Sequence, residues 1–276
     1  GTDAGMYWAV FLTTGLACVA AQVLLTLLFA KWLPDGLWRR EPAFLAHQIV
    51  SLPIMVIVTY VGCKTWFFPD EATRELAATA DGRIHGYFAE GDFLVSLLLG
   101  ELVMWDIPMA FLPSLRNPVS LGHHVGMAIT AAIALKPYLL FYVPFFGGVV
   151  EISSIPLQVV DTFHPKHFEV WAKDDPRFGK LNELCRILFA VLFIITRTVL
   201  FPYVVVGSVL PDLWAVAAAD SDDVVWASVG AFLALSFTLL QLHWSFLIFK
   251  QLYKLLAPKK GRPVPTDSPK YEEMDS

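Results

Sequence analysis

Ionisable side chains interrupt several long apolar stretches of the sequence, and their types are those that carry out chemistry. A charged group in hydrocarbon costs about 2.5–3.5 kcal/mol on insertion scales, so such groups are functional candidates by default. Imidazole and carboxylate groups transfer protons or attack carbonyl carbon, and a guanidinium group binds phosphate or carboxylate. The residues inside the stretches are Glu101, Asp106, His123, His124, Glu151, Arg197 and His243, and His47 opens a further stretch.

Common catalytic and metal-binding motifs are missing from the sequence. It contains no GxSxG, no HExxH, no glycine-rich phosphate loop and no Cys/His metal pattern. Cys18, Cys63 and Cys185 lie in or beside apolar runs without CxxC spacing, which predicts neither a disulfide framework nor a zinc site. We therefore expect no metal and no cofactor, and any chemistry would rest on the ionisable residues.

The composition places these residues in a membrane protein. Of 276 residues, 56% are hydrophobic and 16% are charged, and the mean hydropathy is +0.58. A soluble domain carries about 25% charged residues, so this chain has too little polar surface for a water-soluble globule. Its 21 Phe, 9 Trp and 8 Tyr exclude a disordered chain. Its apolar runs are continuous, unlike the alternating strands of a membrane β-barrel. We predict an all-α, polytopic membrane protein.

Apolar stretches near the length of a membrane helix, about 20 residues, occur seven times. We name them the first to seventh segments, and they span 6–30, 45–66, 92–113, 120–136, 138–163, 185–209 and 224–249. The first is too long for the apolar part of a signal peptide. We predict three parts, which are an N-terminal helix and loop over 1–39, a transmembrane domain over 40–256 and a disordered cytosolic tail over 257–276.

Basic residues fall mostly on one side of these segments. Fifteen Lys and Arg residues belong to the loops near 31–44, 114–119 and 164–186 and to the C-terminal tail, against four in the loops on the other side. Because cytosolic loops attract Lys and Arg, we predict a cytosolic C-terminus and a lumenal or outside N-terminus. The membrane would be that of the endoplasmic reticulum or another organelle. This rule already explains the basic residues, so nucleic acid is not an expected partner.

The ionisable residues inside the segments cluster by depth. At a rise of 1.5 Å per residue, Asp106, Glu151 and Arg197 lie between the cytosolic surface and the middle of the membrane, whereas Glu101 lies deeper. That they meet laterally is a hypothesis, in which Arg197 pairs with Glu151 or Asp106. Pro156 frees a backbone carbonyl one turn earlier, which predicts a kink in the fifth helix at Glu151.

Most of these residues also have a purely structural interpretation. His47 would then be an ordinary interfacial residue, and Glu101 would form a hydrogen bond between helices. Arg197 would form an ion pair rather than bind an anion. Neighbouring side chains on a helix point about 100° apart, so only one of His123 and His124 needs to face a cavity.

At these positions the sequence resembles the TLC-domain family, named for TRAM, LAG1 and CLN8. The resemblance covers about residues 40–255 and rests on short pieces that come in the family's order. They are Ala46-His47-Gln48-Ile49-Val50-Ser51, Trp105-Asp106-Ile107-Pro108, Leu121-Gly122-His123-His124, Glu151-Ile152-Ser153-Ser154-Ile155-Pro156, Thr196-Arg197-Thr198 and Leu240-Gln241-Leu242-His243-Trp244.

The resemblance implies a barrel of six helices around a cavity open to the cytosol, an additional N-terminal helix, and a connection to lipids. In the ceramide synthase branch, the His pair and acidic residues move an acyl chain from acyl-CoA to a sphingoid amine. This sequence keeps His123, His124 and Asp106. On the fifth segment the synthases carry His-Asp, a second Asp and Leu-Glu, whereas this chain reads Gly147-Gly148-Val149-Val150-Glu151. The resemblance is therefore to the non-synthase branch.

Three functions follow as hypotheses. The first is a protein that holds a lipid or acyl chain in the cavity and affects membrane lipid composition or trafficking. The lipid and head-group residues would be Glu151, Ser153, Arg197, His243 and His47. The second is an acyltransferase that uses acyl-CoA, with His123 or His124 as base or nucleophile and Asp106 orienting it. The third is a structural accessory subunit of a larger membrane complex, whose partners are other membrane proteins.

Overall fold

Helices account for all seven predicted segments in the computed structural model, which describes residues 4–163 and 176–256. The helices run over Ala4–Trp32, Pro42–Phe67, 89–109, Pro118–Ala134, Leu140–Thr162, 176–219 and Asp223–Leu256. Three short helices, Leu37–Arg40, Glu71–Ala77 and Ala80–His85, lie between the first three segments. The described residues contain no β-strand. The predicted tail, 257–276, lies outside the described residues.

Five helices are long and apolar enough to cross a membrane by length and composition. They are Trp8–Trp32, Pro42–Phe67, Leu140–Thr162, Arg177–Ala219 and Asp223–Lys254. The third and fourth segments are helical but fall short of this standard. The fourth has 17 residues, about 25 Å at 1.5 Å per residue, and the third contains four carboxylates over 89–109. The prediction of an all-α, polytopic membrane protein is confirmed.

The second to seventh segments form a closed ring. Around the ring, the second segment contacts the third, the third contacts the fourth, the fourth contacts the seventh, the seventh contacts the sixth, the sixth contacts the fifth, and the fifth returns to the second. The first segment packs outside this ring, against the third and second segments. The arrangement matches the six-helix barrel with an additional N-terminal helix that the resemblance implies.

The second and fifth segments approach most closely at a pair of glycines. A Cβ atom on Gly62 would lie 2.5 Å from the Cα atom of Gly148 and 2.5 Å from the carbonyl oxygen of Pro144. No side chain larger than hydrogen fits between these backbones without a shift. The two glycines thereby allow the irregular part of the fifth segment to lie directly against the second.

At one end of the ring, a cluster of polar side chains connects different helices and loops. Asp212 is buried, and its carboxylate accepts hydrogen bonds from Arg83 at 2.5 and 2.6 Å and from the Tyr142 hydroxyl. His85 contacts Asp81 through Nδ1 at 2.8 Å and Asp223 through Nε2 at 3.2 Å. These contacts join three stretches of chain that the charge pattern assigns to the same side of the membrane.

Aromatic packing joins the opposite end. The rings of Trp38 and Phe163 lie 5.9 Å apart, and those of Phe163 and Phe178 lie 5.7 Å apart. Leu45 completes the buried part of this cluster. The loops that the charge pattern places on the second side are thus also in mutual contact.

The contacts of His85 predict a pH-dependent stability. Burial opposes protonation of this imidazole, but its hydrogen bonds to Asp81 and Asp223 outweigh burial and raise the pKa of His85 above its ordinary value. Because the pKa of His85 is higher in the folded state, its contribution to stability is complete at pH values below its unfolded-state pKa of about 6.5. That contribution is lost as the pH rises through its folded-state pKa. Thermal unfolding in mild detergent should therefore show a loss of stability as pH rises above about 6.5 that His85→Asn lacks.

The matched control is His243→Asn, because the His243 side chain is exposed on the seventh segment. Its stability should follow the wild-type pH profile. Parallel profiles for the wild type and His85→Asn would contradict the prediction.

Candidate functional site

The ring encloses a cavity of about 580 Å³ that is lined by residues from all six of its helices. It reaches the loop between the third and fourth segments at Ser114 and Asn117, and the end of the fifth segment at Asp161. The charge pattern assigns both of these places to the same side of the membrane. No residue of the first segment lines the cavity.

Irregular backbone carries four of the polar residues of this cavity. Asp106 ends a π-helical turn, Leu102–Asp106, and Arg197 lies within a second one, Ile194–Leu200. Glu151 and Ser153 lie in a 3₁₀ turn, Val149–Ser153, at the place where the sequence predicts a kink in the fifth helix. Such turns interrupt regular helices often at functional sites, because they redirect side chains that an α-helix would point elsewhere.

Arg197 forms the centre of a buried polar network. Its Nη2 lies 3.0 Å from Glu151 Oε2, and its Nε donates to the Ser153 hydroxyl at 2.9 Å. Ser154 accepts from Arg197 Nη2 at 3.0 Å and donates to Glu151 Oε2 at 2.5 Å. Arg197 is 5% exposed and Glu151 is 6% exposed. Of the two predicted partners, Arg197 therefore pairs with Glu151 and not with Asp106.

Asp106 lies between two imidazole groups. His47 Nε2 is 2.9 Å from Asp106 Oδ1, and His124 Nδ1 contacts the other carboxylate oxygen. The carboxylate fixes the orientation of both rings, as an acidic residue does for a catalytic histidine. Since Asp106 engages Nδ1 of His124, the opposite ring nitrogen of His124 is left to act on a ligand.

His123 has different surroundings from its neighbour. Its ring lies edge-on to Phe237 at 5.5 Å and to Trp244 at 5.2 Å. Both histidines line the cavity, and their ring centroids lie 5.5 Å apart. His124 belongs to the acid–base group, whereas His123 packs among aromatic rings where the cavity narrows.

Two candidates differ from the sequence-based expectation. His243 is exposed on the seventh segment and does not line the cavity, whereas the adjacent Trp244 does. The structure therefore separates His243 from the other proposed head-group residues. Glu101 is buried at 4% exposure and lines the cavity. Within residues 4–163 and 176–256, it forms no hydrogen bond, so the expected bond between helices is absent there.

Several contributors carry weak signals or none in the sequence. Ser154 follows Ser153 in the fifth-segment piece quoted above. Gln241 follows Leu240 in the seventh-segment piece, and its Oε1 lies 3.5 Å from Arg197 Nη1. Gln22 in the first segment is 3% exposed and bonds to Trp105. Nothing in the spacing of the first segment marks Gln22, because a single glutamine among apolar residues has no pattern around it.

A smaller apolar pocket shares part of its lining with the cavity. It measures about 120 Å³ and shares Leu98, Met127 and the side chains of His123, Glu151 and Arg197 with the main cavity. Beyond these shared residues its walls are almost entirely apolar, and it reaches the end of the ring near Leu139 and Tyr142. In the described part of the chain, no group of three or more His, Cys, Asp or Glu side chains is arranged to hold a metal ion.

The TLC domain (TRAM/LAG1/CLN8) family model matches residues 44–250, which is most of the chain. The match includes the polar residues that line the cavity. The chain belongs to the TLC-domain family. No curated protein and no solved structure matches it. In this TLC-domain protein the first segment lies before the matched residues, and the site residues all lie within them.

The buried network of this TLC-domain protein makes a test of stability possible. Arg197→Met should destabilise the protein by about 3–5 kcal/mol, because the Glu151 carboxylate would remain buried without its cation. Arg197→Met combined with Glu151→Leu should recover most of that loss, since no unpaired charge would remain. Unfolding by sodium dodecyl sulfate in mixed micelles would measure the free energy of unfolding of the single and the double variant.

Arg39→Met is the matched control, because the Arg39–Asp35 pair is exposed and surface pairs contribute little. Equal destabilisation by Arg39→Met and Arg197→Met would contradict the prediction. So would a double variant that is as unstable as Arg197→Met alone.

Proposed function

We propose that this TLC-domain protein binds a lipid or acyl chain inside its ring of helices and thereby affects membrane lipid composition or trafficking. The observation that carries the proposal is that a cavity lined by ionisable side chains shares five of its lining residues with a smaller, apolar pocket. A molecule with a polar head and an apolar tail matches both parts at once, because each part of the wall solvates one part of the ligand.

The tail would occupy the inner pocket, and the head group would lie among the polar residues at the wider end. His47, His124 and Asp106 supply one cluster of donors and acceptors, and Glu151, Ser153 and Arg197 supply the second. His243 is left out of the proposed set, because its side chain lies outside the cavity. The charge pattern supports a cavity that opens to the cytosol, with a lumenal N-terminus, in the endoplasmic reticulum or another organelle membrane.

Lipid extraction tests this proposal directly. The protein would be purified in mild detergent, and its bound lipid would be quantified by mass spectrometry. Ala234→Phe places a ring in the inner pocket, which Ala234 lines. Excluding two methylene groups costs about 1.6 kcal/mol, so the retained lipid should fall about tenfold.

Leu235→Phe is the matched control, since Leu235 neighbours Ala234 but is 47% exposed on the outer face. It should retain lipid like the wild type. A wild-type protein free of lipid would contradict the proposal, and a fixed set of co-purifying membrane proteins with no lipid would favour the role of accessory subunit.

Acyl transfer from acyl-CoA is the second candidate, and the His124–Asp106 contact is the observation that favours it. A nitrogen or oxygen atom of the acceptor would attack the thioester carbonyl while His124 accepts the acceptor's proton. The carbon–sulfur bond would then break, and the departing thiolate would take the proton from His124. His123 is placed less well for this role, because aromatic rings surround it.

A variant pair tests the second candidate. His124→Ala should lower acyl-CoA consumption by about 10²–10⁴-fold, the usual contribution of a general base. His243→Ala removes the same side chain outside the cavity and should leave consumption unchanged. Release of the free thiol from a long-chain acyl-CoA, with a set of lipid acceptors, would be measured. Equal activity in both variants, or no thiol release by the wild type, would contradict the second candidate.

A further inference from the structure

The first segment lies outside the ring but packs closely against the third segment near the site. A Cβ atom on Gly100 would lie 2.3 Å from the carbonyl oxygen of Phe11, and one on Gly15 would lie 2.3 Å from Met104 Sδ. The two helices therefore pack at a distance that only glycine allows. This close contact flanks the π-helical turn Leu102–Asp106, at whose end the Asp106 carboxylate lies.

Gln22 makes a specific polar contact across this interface. Its Oε1 accepts a hydrogen bond from Trp105 Nε1 at 3.3 Å, and its Nε2 donates to the carbonyl oxygen of Ala43 at 2.9 Å. One amide group thus joins the first segment to the third segment and to the start of the second. Gln22 is 3% exposed and Trp105 is fully buried.

Trp105 also contacts a residue of the site, His47. Its indole ring stacks on the His47 imidazole, with ring centroids 4.6 Å apart and an interplanar angle of 21°. His47 in turn bonds to Asp106, the residue that follows Trp105, and Asp106 contacts His124. A continuous series of contacts therefore runs from Gln22 through Trp105 and His47 to the acid–base group.

We infer that Gln22 is a positioning residue, which holds the Trp105 ring and through it the orientation of His47 and Asp106. The inference rests on the proposed function for its consequence, which is that a helix outside the ring controls the ligand site. A π-helical turn is rare and its hydrogen bonding is locally irregular, so the side chains at its end need support from outside the turn. Gln22 provides that support from a helix none of whose described residues is among those that line the cavity.

Histidine nitrogen spectra test the inference without any ligand. Protein labelled with ¹⁵N-histidine in detergent micelles reports which ring nitrogen bears a proton and whether it is hydrogen-bonded. In Gln22→Met, the ring nitrogens of His47 and His124 should shift while those of His85 stay fixed. Retained lipid should fall about twofold to tenfold, the range that one hydrogen bond represents.

Trp105→Phe gives a second test from the other side of the bond. Phe keeps an aromatic ring over His47 but lacks the N–H group that donates a hydrogen bond to Gln22. Its spectral shifts should resemble those of Gln22→Met, and the double variant should be no worse than the more severe single variant, because both remove the same hydrogen bond. If Gln22→Met does not fold, Trp105→Phe alone decides.

Thr13→Val serves as the control on the first segment. Thr13 is exposed and bonds only within its own helix, to the carbonyl oxygens of Ala9 and Val10. It should leave the spectra and the retained lipid unchanged. Unchanged His47 and His124 signals in both Gln22→Met and Trp105→Phe would overturn the inference, as would effects of the two substitutions that simply add.

The two proposals fail in different ways. A wild-type protein without bound lipid would contradict the proposed function, and the nitrogen spectra would still decide whether Gln22 positions His47. A lipid-bound protein whose spectra ignore Gln22 would overturn the positioning role alone.

Discussion

The buried ion pair between Arg197 and Glu151 is the interaction on which the rest of the structure depends. Both groups are nearly inaccessible, and they lie inside the ring of helices. In hydrocarbon, a charged group without a partner is costly, so the guanidinium group of the sixth helix must meet a complementary group. This requirement fixes the rotation of the fifth and sixth helices, and the two serines beside Glu151 satisfy the remaining hydrogen bonds of the guanidinium group.

The same requirement explains why irregular backbone coincides with polar residues. Arg197 and Asp106 lie in π-helical turns, and Glu151 lies in a 3₁₀ turn beside a glycine pair. A regular helix spaces its side chains uniformly, which suits packing against lipid or apolar neighbours. Bringing a carboxylate or guanidinium group to one particular partner requires a local change in that spacing. Arg197, Glu151 and Asp106 thus all lie where the helices are irregular, whereas His47 and His124 lie on regular helices.

Two acid–base groups result. The Arg197–Glu151 group lines both the cavity and the apolar pocket, whereas His47, Asp106 and His124 line only the cavity. The Arg197–Glu151 group is paired and buried, which suits it to holding the fifth and sixth helices together. The Asp106 group holds two imidazoles and leaves His124 partly exposed to the cavity. The first segment reaches only the second group, through Gln22, so the two groups depend on different parts of the fold.

The sequence by itself determined the class of protein, the helices and the identity of the polar residues. Hydropathy and charge are set along the chain, so they predict where a helix lies and which loops share a side. They also predicted the break at Glu151, because Pro156 acts locally. Rotation about each helix axis was decided only by the tertiary structure. In a membrane both the outer face and the packed face are apolar, so no amphipathic pattern separates His243, which faces outward, from Trp244, which faces the cavity. The choice of Glu151 over Asp106 as partner of Arg197, and the contact of Gln22 with Trp105, likewise depend on which helices are neighbours, a property that no local stretch of sequence contains.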